Sequence, residues 1–467
     1  MFLHVKRFHM VGAGGSGMSG LAQILQGLGF TVTGSDLKGG PVVEHLRSIG
    51  IPVEVGHSAG HVGQADVVVR STAVADANPE IVEARKRNIP LVGRGELLAE
   101  LTRMGETVAV AGSHGKSTTS SMIACVATGG GLDPTVIIGG RVKNFEQAAG
   151  ARLASAASGR NLYVVESDES DGSFLKLHPA LAVVTNIDTD HLDHYGTMDN
   201  LRNAFRDFLN LVPFYGVGVV CWDDPNVRRI HGEVRRKTIT YGFSDSSDLR
   251  AESVTLSGAG SRFSARFKNE SYGEFTLSVP GRHHVLNALA TIAVCREMDV
   301  PAAVIRDSLA DFRGVARRFE SHGSVGGVRL YDDYGHHPTE IKATLETARI
   351  AHPAGRIIVL FQPHRFTRTK LLADEFGGAF ELADLLFVTD IYAASEMPIN
   401  GVTGDTIVQR VARKGHPAVA YVKDWRGGVQ EILKQARPGD TILTLGAGDI
   451  DQAPLALEEG LKARYGK

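Results

Sequence analysis

The chain has 467 residues, 43% of them hydrophobic, with 50 Lys and Arg against 52 Asp and Glu. That balance excludes a global electrostatic pull toward nucleic acid or a membrane surface, and the longest apolar runs are too short to span a bilayer. Cys125, Cys221 and Cys295 are scattered and form no C-x-x-C pair, which points to a reducing compartment. The charged start of the chain, with Lys6 and Arg7, lacks the apolar core of a signal peptide. The expectation is a cytoplasmic enzyme of more than one domain.

In chain order, Phe8–Val11 reads as a short strand, Gly12-Ala13-Gly14-Gly15-Ser16-Gly17 as a glycine loop, and Met18–Leu28 as a helix. Thr31–Gly34 reads as a second strand ending at Ser35-Asp36. Gly12, Gly14 and Gly17 fit the fingerprint in which backbone approaches a diphosphate at a helix N-terminus; Asp36 stands about where a carboxylate meets a ribose hydroxyl. At this point the loop fits an oxidoreductase using NAD or NADP, another nucleotide, or a tight turn with no ligand. Strands at Ala65–Val69 and Ile89–Val92 follow. Arg70-Ser71-Thr72-Ala73 falls at the carboxyl edge of the sheet, where ligands collect.

The middle of the chain opens with an apolar strand, Thr107–Ala111, then Gly112-Ser113-His114-Gly115-Lys116-Ser117-Thr118-Thr119, and a helix pattern from Ser120. Strand, glycine loop and helix make a phosphate cradle of backbone N–H groups. Lys116 suits the outer phosphates and the Ser117 hydroxyl suits Mg²⁺. The longer form of the motif has a further glycine, where this chain has Val110. Two more apolar strands end in acidic clusters: Asn161–Val165 in Glu166-Ser-Asp-Glu-Ser-Asp171, and Leu181–Asn186 in Asp188-Thr-Asp-His-Leu-Asp-His194. Carboxylates beside a triphosphate suit Mg²⁺, which takes few protein ligands. Phe243–Glu274 alternates and turns at Gly, Ser and Asn, as an antiparallel excursion does. A long helix follows Pro280-Gly281, with Asn287 near its start.

The last third alternates strand and helix again. Val328–Tyr331 ends at Asp332-Asp333-Tyr334-Gly335-His336-His337-Pro338, and Arg356–Phe361 at Gln362-Pro363-His364-Arg365-Phe366-Thr367-Arg368. Arg365 and Arg368 form a fork suited to a carboxylate or phosphate. Hydride transfer needs no phosphate loop with an acidic shell, and a simple kinase needs no first fingerprint. An ATP-driven joining enzyme acting on a nucleotide-tagged carboxylate uses both.

These segments together resemble the ATP-dependent Mur ligases of peptidoglycan precursor synthesis, and within them the alanine-adding branch. The resemblance rests on the Gly12–Gly20 and Gly112–Thr119 loops, Glu166–Asp171, Thr185-Asn186 with Asp190-His191, Asp333–Pro338 and Gln362–Arg368. It implies an α/β chain of three domains. A Rossmann-like domain (1–104) would hold UDP-N-acetylmuramate. A P-loop ATPase-type domain (105–315) with a small antiparallel β excursion would hold ATP. A Rossmann-like α/β domain (316–467) would close over both and admit L-alanine. ATP and Mg²⁺ are implied as cofactors, an acyl phosphate as intermediate, and a monomer or weak homodimer as the state.

Residue roles carry over by position. Gly112, Ser113, His114, Gly115, Lys116, Ser117, Thr118, Asn287, Arg318 and Asp333 would bind ATP. Ser117, Glu166 and His191 would hold the metal. Lys116, Tyr334, His336, His364, Arg365 and Arg368 would surround the reacting groups. Gly12, Gly14, Gly15, Ser16, Gly17, Asp36, Ser71, Thr72 and Asn186 would contact the UDP-sugar. Three departures stand out. His283-His284 replaces the usual His-Asn, Ser117 replaces the commoner Thr, and Phe205-Arg206 lies where sibling ligases carry a carbamylated lysine, so no such lysine is expected. Two rivals remain. A recycling ligase that attaches a preformed peptide is disfavoured by Gln362–Arg368, and an oxidoreductase leaves Lys116, Glu166 and His191 unexplained.

Overall fold

The protein was analysed as a computed structural model that describes residues 4–145, 151–155, 161–394 and 396–466. Three sheets account for the strands. The first contains β1 (Arg7–Val11), β2 (Thr31–Asp36), β3 (Val53–Val55), β4 (Val67–Arg70) and β5 (Leu91–Gly93), in the order β3-β2-β1-β4-β5. All its pairings are parallel. The order reverses beside β1, and the Gly12–Gly17 loop leaves β1 at that switch point, where such sheets open a crevice.

The central sheet has ten strands: β6 (Glu106–Ala111), β7 (Thr135–Ile137), β8 (Ala151–Arg152), β9 (Leu162–Glu166), β10 (Leu181–Val184), β11 (Val217–Cys221), β12 (Thr238–Gly242), β13 (Leu249–Ser257), β14 (Gly260–Phe267) and β15 (Glu270–Leu277). Its order is β15-β14-β13-β12-β11-β10-β6-β9-β7-β8. From β12 to β7 it is parallel. The joints after β13 and β14 are too short for the crossover a parallel pair demands, so β13–β15 run antiparallel. The expected antiparallel excursion therefore exists, as an extension of the central sheet.

The third sheet contains β16 (Glu320–Val325), β17 (Val328–Asp333), β18 (Ile357–Phe361), β19 (Leu385–Val388), β20 (Val419–Tyr421) and β21 (Thr441–Leu445), ordered β16-β17-β21-β18-β19-β20. Only β16–β17 is antiparallel. The strand period of two is visible in β18. Ile357, Val359 and Phe361 enter a core with Ile341 and Leu345. Ile358 and Leu360 enter another with Ile432 and Leu457. Both faces are thus covered by helices, as a parallel sheet requires.

The chain forms two compact units, one of Met1–Ser253, Phe263–Thr276 and Leu286–Arg313, the other of Val254–Arg262, Leu277–Val285 and Gly314–Lys467. The first sheet and β6–β12 of the central sheet fall in one unit and share a core: Leu21 and Leu25 belong with Ala151, Phe174 and Phe208. Gly20 and Gly27 make room for this, since a Cβ there would lie 3.1 Å from Ala151 and 2.7 Å from Leu153.

Two sequence readings shift. The central helix begins at Lys116, four residues ahead of Ser120, because Gly115 (φ +83°) turns the chain directly into it. β17 runs through Asp332 and Asp333. β16 is a polar edge strand, and β7 and β8 are very short, so none offered an apolar period to read.

Phe205 is fully buried, with its ring 5.3 Å from that of Phe174. Arg206 faces outward and pairs with Glu233 at 2.9 Å. Phe205→Ala should lower the stability of this unit by about 3–5 kcal/mol through the cavity it leaves, while Arg206→Ala should cost under about 1 kcal/mol. Urea denaturation followed by fluorescence checks both.

Candidate active site

The phosphate loop hangs between β6 and the helix Lys116–Gly129. Gly112 (φ +131°) lies against Thr185, leaving no room for a side chain. Val110, where the longer motif has glycine, is instead a buried sheet residue paired with Val183 and Glu166. That register sets Glu166 beside the loop. The loop is stitched to the end of β10. The Asn186 side chain accepts from the His114 N–H at 2.9 Å and donates to the His114 carbonyl at 3.0 Å. The Thr185 hydroxyl donates to the same carbonyl at 2.6 Å, and His114 Nε2 meets Asp188 at 2.9 Å. Asn186, expected at the UDP-sugar, thus spends both ends of its amide on the phosphate loop.

Lys116 Nζ donates to the carbonyls of Gly112 (2.7 Å) and Ser113 (3.3 Å) and to Glu169 Oε1 (2.9 Å). Burial disfavours its charge, but Glu169, Glu166 and Asp168 outweigh that and hold its pKa above the ordinary lysine value. Burial pushes the Glu169 carboxyl up to about 7, against the pull of Lys116. Its Oε2 is buried without a hydrogen-bond partner. Ser117 Oγ donates to Glu166 Oε2 at 2.9 Å. His191, held at φ +57°, puts Nε2 3.8 Å from Glu169 and 3.6 Å from Asp190. Asn287 is buried, and a Cβ on Gly115 would lie 2.9 Å from its Oδ1. Thr118 is buried at the start of the helix. The hard oxygen donors outnumber the one lysine, and one buried carboxylate oxygen is unsatisfied. That donor set fits Mg²⁺ held by Ser117 and Glu166, with His191 alongside.

At the first loop, Gly12 (φ +83°) and Ala13 donate their N–H groups to the Ser35 carbonyl at 2.9 Å. The Gly14 N–H donates to Asp36 Oδ2 at 2.8 Å, so the expected ribose carboxylate also clamps the loop. Gly15 caps the helix Ser16–Gly27, and the side chain of Ser16 lies outside the described residues. A Cβ on Gly12 would lie 3.1 Å from Ser71, with Thr72 exposed beyond it. A buried support escaped the sequence reading. Glu80, fully buried, accepts from Ser35 Oγ (2.6 Å) and the Ser58 N–H (3.1 Å) and contacts His9 (2.9 Å), His57 (3.1 Å) and His61 (3.2 Å). Against the effect of burial, these bonds hold its carboxyl down to about 2. Ser35 is thereby fixed under the glycine loop.

In the second unit, Asp333 ends β17. Its oxygens accept from the N–H groups of Phe319 and Gly335, both at 2.7 Å, and burial pushes its carboxyl up to about 6 against the pull of Arg318. Arg318 sits 5.0 Å over the Tyr334 ring and 3.5 Å from Glu340. Arg317 and Phe319, on either side, both hold positive φ (+60° and +46°), strain that gathers at functional sites. His336 meets the Tyr334 carbonyl at 3.0 Å, and its ring lies 5.6 Å from that of His364. Arg368 Nη1 is 3.2 Å from His364 Nδ1. Arg365 takes φ +71°, donates its N–H to the Tyr392 carbonyl at 2.9 Å, and buries an Nε without a hydrogen-bond partner. The expected residues of this unit thus gather at the ends of β17 and β18, which flank β21 in the sheet. Tyr392, stacked on His364 at 5.8 Å, joins them with no motif to announce it.

Cys221 and Cys295 are buried and Cys125 partly so; burial raises all three thiols. Among the described residues no helix is long and apolar enough to cross a membrane.

A diphosphate-type glycine loop, a P-loop ringed by carboxylates and an Arg- and His-rich third sheet define a multidomain α/β enzyme that works with nucleotide phosphates. The comparisons with known proteins name the class. Residues 7–105 match the Mur ligase family catalytic domain, 110–295 the Mur ligase middle domain, and 317–448 the Mur ligase glutamate ligase domain. The chain belongs to the Mur ligase family of ATP-dependent ligases. It is 49% identical to a UDP-N-acetylmuramate–L-alanine ligase of Sorangium cellulosum, covering 98% of this chain and 96% of that one. It is 51% identical to the protein of the same name from Solidesulfovibrio magneticus, covering 96% of each. Among solved structures, the UDP-N-acetylmuramate-alanine ligase of Thermotoga maritima superimposes with a TM-score of 0.83 at 30% identity, over 99% of this chain and 100% of that one. A murein peptide ligase of Psychrobacter arcticus shares the fold, with a TM-score of 0.75 at 24% identity over 98% of both chains.

His284 gives a pH handle on the second unit. Its Nδ1–H donates to the Pro280 carbonyl at 2.6 Å, and burial depresses its pKa to about 4, against that bond. The unfolded chain therefore binds the proton first, and stability present above about 6.5 is lost as pH falls toward 4. Burial raises the Asp333 carboxyl in the same unit, which works in the opposite direction, so the check is a difference: as pH is lowered from about 8 to about 5, the urea midpoint of the wild type should fall relative to that of His284→Gln.

Proposed function

We propose that this protein joins L-alanine to the lactyl carboxylate of UDP-N-acetylmuramate, consuming ATP and releasing ADP and phosphate, in peptidoglycan precursor synthesis. The observation that carries the reading is Lys116 held among carboxylates next to the Ser117–Glu166 pair, in a chain about half identical to enzymes of that name. Residues 1–104 take the UDP-sugar, 105–315 ATP, and 316–467 the amino acid; the enzyme works in the cytoplasm as a monomer or weak homodimer.

In this reading the chemistry has two steps. A carboxylate oxygen of the sugar attacks the γ-phosphorus of ATP, the bond to the β-bridging oxygen breaks, and ADP leaves. The alanine nitrogen, as free amine, attacks the resulting acyl phosphate, and phosphate departs as the amide forms, with one proton released. Lys116 moves its charge from the loop carbonyls to the transferring phosphoryl group. Ser117, Glu166 and His191 would hold Mg²⁺, which would supply neutralisation of phosphate charge. His114, Ser113 and Asn287 orient the loop. Arg318, Asp333 and Tyr334 bind the nucleoside end. Arg365 and Arg368 clamp carboxylate or phosphate oxygens, and His336 and His364 receive or hold the amine proton.

Phosphate release should require UDP-N-acetylmuramate, ATP, Mg²⁺ and L-alanine together. Release only with a preformed peptide, or NAD(P) reduction without ATP, would overturn the reading. Lys116→Ala should lower kcat by at least about a hundredfold, while UDP-N-acetylmuramate titrated without ATP binds within about threefold of wild type, as expected when no sugar contact is lost.

A further inference from the structure

The helix Arg94–Thr102 meets the acidic loop through its first turn. Arg94 Nη2 donates to Asp168 Oδ2 at 2.9 Å. Gly95 lies directly against Ser173, leaving no space for a side chain, and Glu96 stands 4.0 Å from Lys176. The same Arg94 lies across the diphosphate-type loop, for a Cβ on Gly17 would come within 3.0 Å of its Cδ and 3.1 Å of its Nη1. Gly17 has no positive φ to explain it; it is the seat of this arginine. The Arg94 side chain is 17% exposed.

Asp168 stands between Glu166, which meets Ser117, and Glu169, which holds Lys116. Its charge is one of those sustaining Lys116, and its own pKa, raised by burial, is pulled below the ordinary value by Arg94 first and Lys116 next. One guanidinium thus touches the glycine loop of the first sheet and the carboxylate loop beside the phosphate loop. Arg has several donors spread over a rigid planar fork, so it can hold two separated anions in a fixed geometry, which lysine's compact ammonium on a flexible stem does less well.

We propose that Arg94 is a positioning residue that couples the two nucleotide sites: an anion on the Gly12–Gly17 loop pins Arg94, Arg94 pins Asp168, and the Glu166–Glu169 loop is set for the metal nucleotide. The inference rests on the reading of that loop as the seat of the UDP-sugar diphosphate. It makes the two ligands mutually reinforcing, since coupling between sites is reciprocal.

Calorimetric titration of the full chain with Mg·ADP, with and without saturating UDP-N-acetylmuramate, tests it. The sugar nucleotide should tighten Mg·ADP by about fivefold or more in the wild type. Arg94→Ala and Asp168→Asn should each bring that factor close to one, and the double variant should be no worse than either single. Arg94→Lys should restore only part of it. Thermal melting of each variant separates lost coupling from lost fold, and Arg94→Lys remains the readout should Arg94→Ala fail to fold. An unchanged factor in Arg94→Ala overturns the proposal. So does an additive double variant, or an Asp168→Asn that keeps the coupling while Arg94→Ala simply loses the sugar nucleotide. Failure of the wild type to bind UDP-N-acetylmuramate at all would instead overturn the substrate reading.

Discussion

The constraint on which the first unit depends is a lysine that must be buried and charged. Lys116 is surrounded by backbone carbonyls and by Glu169, with Glu166 and Asp168 in its field. A buried ammonium without partners would give up its proton. The carboxylates that keep it charged are also too many for it. Burial lifts Glu169 to about 7, and its second oxygen has no hydrogen-bond donor. Lys116 and Glu169 are thus bound to one another's state: the lysine keeps its charge through the carboxylate, while burial works against the charge of both.

The geometry that creates this situation was legible at the level of strand ends. Apolar strands stopping at Gly112, Glu166 and Asp188 had to lie side by side in a parallel sheet, and β6, β9 and β10 do. What the residues alone did not reveal was which polar side chains hold the frame and which face a ligand. Asn186 and Asp36 looked like substrate contacts, yet each is bonded to a glycine-rich loop. A polar residue at a strand end has the same one-dimensional signature in either role; only the partner distinguishes them. The Glu80 cluster had no signature at all, because Glu80, His9, Ser35, His57 and His61 come from separate segments and meet only after folding.

Glycines were legible for one reason and used for two. Gly112 and Gly115 sit at positive φ, as a tight phosphate loop demands. Gly17, Gly20 and Gly27 do not; they are small because a neighbour occupies the volume of a side chain, namely Arg94, Ala151 and Leu153. The latter two explain why the first sheet and the parallel part of the central sheet share a core although the family resemblance implied a domain boundary between residues 104 and 105. A helix bearing glycine on one side can approach a neighbouring strand closely, and the apolar residues beside it then merge two cores into one.

The two units carry opposite local character. The phosphate-loop unit gathers Glu166, Asp168, Glu169 and Asp190 around one lysine. The other gathers Arg317, Arg318, Arg365 and Arg368 near Asp333 and two histidines. Carboxylates repel the phosphates unless a metal intervenes, and arginines without a metal leave the leaving group's charge only partly met. Within each unit the local charge follows from the strand ends it gathers: carboxylates of this kind suit a cation, and arginines of this kind suit carboxylate or phosphate oxygens.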